Sequence, residues 1–171
     1  PAPRVHVVCG SAEAQEHAEG KVTSQPTNEL GRLSRALPMF LAEEVFLRSN
    51  ARASFLLPWM EQGGFILSAK PWTTAFLPPD HVAPDLIVFL HVDARAAPWL
   101  IKVTIENTQR QAPPVVFERA FGPATAGEDV VALLDDVMSR LTILLALRRE
   151  EMNPALATPP QSLLPGYLAG I

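Results

Sequence analysis

The sequence has one cysteine, Cys9, among 171 residues. A lone thiol excludes an internal disulfide and any zinc site built from several thiolates. Lysine is scarce as well, confined to Lys21, Lys70 and Lys102, so arginine carries most of the positive charge. The formal net charge is -4 and the isoelectric point lies near 5.5. Arg148 and Arg149 form the only adjacent basic pair, and Glu150 and Glu151 follow them directly. A chain without a basic face cannot displace the counterions of DNA or RNA, so no nucleic-acid partner is expected. Long hydrophobic runs are missing too. The longest candidate, Leu141 to Leu147, sits between Arg140 and Arg148. It falls well short of the roughly 18 residues of a membrane span, so no direct span is expected. The opening residues show no signal-peptide pattern, which leaves cytoplasm and periplasm both open.

What is present is a globular composition, 48% hydrophobic and 19% charged. That is too apolar for a disordered chain. A chain of this length suits one domain, which buries roughly 70% of its unfolded surface without covalent staples.

Val5 to Cys9 is a β-branched run that stops at Gly10, and it reads as a buried first strand. Ser11 to Pro26 is polar and reads as an exposed loop of unusual length. Thr27 and Asn28 are good N-cap residues, and Glu29 suits a first helical turn. Leu30, Leu33, Leu37, Leu41 and Val45 then line one helix face, with Pro38 expected to kink or split the helix. Ser49 and Asn50 end it. Ala51 to Leu57 is a second strand, closed by Pro58. Gly63-Gly64 reads as a turn before a short run from Phe65 to Leu67. Residues 69–83 hold Pro71, Trp72, Phe76, Leu77, Pro78 and Pro79. They fit either a short helix or an ordered loop packed by its aromatics.

The pattern is clearest further on. Asp85 to Val92 is a strongly apolar strand. Trp99, Ile101, Val103 and Ile105 alternate with Leu100, Lys102, Thr104 and Glu106, the period-two signature of a half-buried strand. Val115 to Phe121 alternates in the same way. Three strands on short loops predict an antiparallel meander. Thr125 and Glu128 have the spacing of a capping box. Val130, Leu134, Val137, Leu141 and Leu144 then make a stripe expected to lie on the sheet. The predicted fold is α/β in the α+β sense: two or three layers around a mixed sheet of about five strands, with a C-terminal meander and a long packing helix. Residues 1–153 are expected to form one domain, followed by a Pro-rich tail at 154–171. Leu163, Leu164, Tyr167, Leu168 and Ile171 should pack the tail onto its own domain or onto a second copy, which makes a homodimer one outcome.

Few residues point to chemistry. His6 and His91 lie on strands that could pair, but no third ligand accompanies them, and His17 and His81 add none, so no metal site is assigned. Cys9-Gly10-Ser11 ends the first strand, where open α/β sheets often bind ligands. A nucleophile there needs a positioned base, and the spacing to the next arginine excludes a C-x5-R phosphatase loop. A buried strand-end cysteine is the expected role. Glu43-Glu44, Asp135-Asp136 and Glu150-Glu151 are helical neighbours that diverge, and they read as solvated faces. Gly63-Gly64 lacks the rest of a phosphate-binding loop, so no nucleotide cofactor is expected. Trp59, Trp72 and Trp99 with Phe76 form either a ligand platform or, more ordinarily, core and sheet cover. No catalytic, cofactor-binding or metal-binding residue is assigned.

The order strand, helix, strand, variable segment, three strands, helix resembles the TolB amino-terminal-domain-like fold, also found in FlgO-like bacterial envelope proteins. The similarity runs through PDLIVFLHVDARAAPWLIKVTIENTQRQAPPVVFERAFG, the closing helix EDVVALLDDVMSRLTILLA, and FLAEEVFLRSNARASFLLP before them. It implies a bacterial α/β module whose relatives share no single enzymatic activity. The expected function is a non-enzymatic protein-interaction or regulatory module. It would dock on a protein partner or neighbouring domain through a sheet edge or the aromatic segment 59–79. The alternatives are a small hydrolase or transferase using Cys9 or Ser11, and a structural envelope protein.

Overall fold

The computed structural model describes residues 2–14, 23–24, 29–61, 64–77, 83–110, 112–122, 125–147 and 159–170. The first β-branched run forms β1 (Arg4–Val8), and the chain resumes as β2 (Ser11–Glu13) along the same neighbour. The stretch expected as an exposed loop therefore begins as strand, with Ser11 and Ala12 buried. Thr23–Ser24 make a two-residue strand, β3. The rest of that stretch after Ala14, together with the expected caps Thr27 and Asn28, lies outside the described residues.

Helix α1 (Glu29–Arg48) runs unbroken through Pro38, against the expected kink. The reason is a contact with the sheet. Proline has no N–H, so the Ser34 carbonyl loses its intrahelical donor. The Gly10 N–H fills that vacancy at 2.8 Å, and the Cys9 thiol donates to the same oxygen at 3.5 Å. The helix is thereby joined to the strand end at the point where its own ladder fails. A Cβ on residue 10 would stand 2.5 Å from that oxygen, so only glycine permits the approach.

Gly10 also lies in a bulge. Val7 pairs with Val88, but Ser11 pairs with His91, so four residues on one strand span three on the other. The extra residue reverses the facing of the side chains beyond it. Val5, Val7, Cys9 and Ala12 share the helix-side core, whereas Ser11 turns to the opposite face beside His91.

From α1 the chain enters β4 (Arg52–Leu56), then β5 (Trp59–Met60) and β6 (Gly64–Leu67). Within the segment 69–83 that the sequence left open, residues 74–76 form a single 3-10 turn, and residues 78–82 lie outside the described residues. The meander comes next as β7 (Leu86–Asp93), β8 (Trp99–Asn107) and β9 (Val115–Phe121), antiparallel throughout. The main sheet runs β4-β1-β7-β8-β9, with β2 also paired to β7. β1 is parallel to both β4 and β7, so the sheet is mixed and open, with β4 and β9 at its edges. β3, β6 and β5 form a separate small sheet.

Helix α2 (Ala126–Leu145) lies over the meander and buries Val130, Leu133, Leu134, Val137, Met138 and Leu141. Its expected capping box is absent. The Thr125 hydroxyl donates to Asp129 Oδ2 at 2.7 Å, and the Gly122 N–H donates to the same oxygen at 3.0 Å. Asp129, one residue past the box position, therefore organises the turn. Helix α2 closes at Ala146 in the left-handed region (φ 50°). Helix α3 (Leu164–Gly170) then packs on α1 and α2, with Leu164 and Leu168 buried in the helix-side core.

The two faces of the sheet are covered differently. Helices cover one face. On the other, Val8, Ile87 and Phe89 form a small cluster under Leu56, Trp72 and Leu77. That cover does not extend over the whole sheet, for Leu100 and Val116 are exposed on β8 and β9. Gly10→Ala should destabilise the fold by about 2–4 kcal/mol, because the new methyl group collides with helix backbone and breaks the bond to Ser34. Urea denaturation measures this, and an unchanged midpoint would show that strand and helix can separate here at no cost.

Candidate functional site

Open α/β sheets hold ligands beyond the carboxyl ends of their strands, and the parallel strands β1 and β4 end side by side at Val8 and Leu56. Cys9 is fully buried there. Burial pushes its thiol up to about 12, outweighing the opposite pull of Arg35 and of the Gly10 amide. At neutral pH it is a protonated donor to a helix carbonyl, with no thiolate to attack anything.

The Ser11 hydroxyl lies 2.9 Å from His91 Nδ1 and also reaches the Leu90 carbonyl at 3.4 Å. The sequence singles out both residues but does not join them, because the bulge that brings them together leaves no signature beyond Gly10. A serine–histidine pair has the elements of a nucleophile and base. Here Ser11 is fully buried, so a substrate carbonyl has no approach to it. His91 is held below its usual value mainly by burial, against the pull of Glu13 and Asp93. At the rim Arg95 contacts Asp93 at 2.6 Å and Glu13 at 3.5 Å, and the arginine draws the Asp93 carboxyl down to about 2.

The other candidates disperse. His6 pairs with Ile87, four positions along β7 from His91, which is about 13 Å at the rise of a strand. Among the described residues no three His, Cys, Asp or Glu side chains gather to hold a metal. His17, His81, Gly63 and Glu150-Glu151 lie outside those residues. Glu43 is exposed and accepts the Tyr167 hydroxyl at 2.7 Å. Glu44, expected to be solvated, is buried and pairs with Arg48 at 2.6 Å, because α1 is enclosed on most of its circumference. Asp135 is exposed, while Asp136 holds Arg119 at 2.5 Å.

The tryptophans do not converge. Trp99 stacks on Phe121 on the helix side, with centroids 6.3 Å apart. Trp72 meets Phe76 edge-on at 5.6 Å on the other face. Trp59 is 66% exposed and Phe76 67%. Among the described residues no acceptor reaches the buried indole N–H of Trp72.

One concavity has no counterpart in the sequence pattern. It lies between the first turns of α1 and α2, beneath α3, and has a volume near 240 Å³. Leu33, Trp99, Phe121 and Leu168 form its apolar wall, and Glu29 and Arg32 add the charges. Periodicity marks Leu33 and Trp99 as core residues. It cannot show that the helix ends diverge enough to leave a space between them.

No protein-family model matches the chain, and no curated protein or solved structure is significantly similar to it.

The strand end leads to two expected outcomes. A thiol reagent should leave native Cys9 untouched and label it only after denaturation; fast native labelling would contradict its burial. Because His91 titrates lower in the fold than its ordinary 6.5, the unfolded chain takes up the proton first on acidification. Its contribution is complete above that value and is lost below it. Asp93 adds a further loss only below its ordinary 3.8. The denaturation midpoint should therefore be lower near pH 5.5 than near pH 7.5, and His91→Gln should flatten the difference. An equally steep decline in the variant would assign the effect to other groups.

Proposed function

We propose that this domain is a non-enzymatic interaction module of the TolB amino-terminal-like type, docking on a partner protein through the segment 57–77. The observation that carries the reading is the exposure of Trp59 and Phe76, each about two-thirds open, within a segment in which Trp72 and Leu77 cover a sheet face. Large aromatics left in water are disproportionately binding anchors. Leu57, 42% exposed, adds to the same segment. The edge strand β4 leads directly into it, so a partner engaging the aromatics also reaches unpaired backbone.

The hydrolase reading draws on the Ser11–His91 contact, but both members are enclosed, and the Cys9 thiol is held protonated. A packing role for all three fits the interaction module better.

Photo-crosslinking amino acids at positions 59 and 76, compared with exposed polar positions 128 and 139, test the proposal in the source cells. Crosslinks to one discrete protein from 59 and 76, removed by excess unlabelled domain and absent from 128 and 139, are the expected result. Equal labelling at all four positions would make the aromatics ordinary surface. Ser11→Ala and Cys9→Ala should leave the crosslinks intact.

A further inference from the structure

The cleft beneath α3 has features that packing alone does not require. Its wall is apolar and holds the stacked pair Trp99 and Phe121. Glu29 and Arg32 are exposed and line it from one turn of α1. Residues three apart on a helix have Cβ atoms about 5–6 Å from each other. Among the described residues neither side chain makes an ion pair or hydrogen bond, although most other charges near the carboxyl end of the sheet are paired. One cation and one anion, close together and without partners among those residues, adjoin a pocket for an apolar group.

The charges restrict the ligand. A purely apolar molecule would satisfy neither. A simple acid would meet Arg32 but face Glu29, and a simple amine the reverse. The size restricts it further, because 240 Å³ is below the roughly 300–1,000 Å³ of drug-sized sites. We infer that the cleft binds a free hydrophobic α-amino acid, with Arg32 on its carboxylate, Glu29 on its ammonium group and the Trp99–Phe121 wall against its side chain. The amino ends of α1 and α2 border the cleft, and their dipoles favour the carboxylate. A peptide terminus carries only one of the two charges, so the free amino acid is the occupant that uses both. Because α3 roofs the cleft, occupancy would bear on how the C-terminal segment is held.

The test uses the intact chain and isothermal titration. L-Phenylalanine and L-leucine should bind with dissociation constants on the order of 0.1–1 mM and raise the melting temperature. N-Acetyl-phenylalanine lacks the ammonium group, phenylalaninamide lacks the carboxylate, and glycine lacks the apolar body. Each should bind at least about tenfold more weakly. Arg32→Ala and Glu29→Gln should weaken L-phenylalanine by about tenfold or more, with the ligand-free melting temperature unchanged. No binding of either amino acid at roughly 20 mM would overturn the proposal. Equal binding of the blocked derivatives, or full affinity in both variants, would also overturn it. Preferential binding of phenylalaninamide would assign the cleft to peptide amino termini instead.

Discussion

The carbonyl of Ser34 is the contact on which the two layers depend. It lies in the middle of a helix, deprived of its usual donor by Pro38, and it is satisfied by Gly10 and Cys9 from the sheet. A buried carbonyl without a donor costs about 1–3 kcal/mol, so helix and strand are held in one register along both axes. Proline, glycine and cysteine each have one part in this contact. Proline removes a donor, glycine supplies another without a side chain, and the thiol adds a weak third.

That contact shows where a sequence can and cannot be read. The meander is legible because β7, β8 and β9 are joined by short loops, and alternation on β8 comes from one buried face. The stripe of α2 is legible for the same reason. The fate of Pro38 is not, since the missing donor comes from Gly10, on another element and far back in the chain. The bulge is also hidden, because Gly10 reads equally well as the end of a strand. Without it Ser11 would face the helices, and its contact with His91 could not form.

The candidate sites divide in the same way. Cys9 as a buried strand-end thiol agrees with the spacing argument. The cleft at the helix ends cannot be found that way, for its walls come from α1, the sheet and α3, far apart in sequence. Glu44 departs from its expected solvated face because a helix covered by both sheet and α3 leaves only a narrow strip in water.

The closing helix has a consequence for synthesis. Tyr167 bonds Glu43 and packs edge-on against Phe40, and Leu164 fills a place in the core that the earlier elements leave vacant. A ribosome adds about 5–20 residues each second, so α1 waits several seconds for its last neighbour to emerge. During that interval the upper side of α1, with Phe40 at its centre, is open to whatever apolar surface is nearby. The nascent chain therefore passes through a stage in which that side of α1 lacks its native cover.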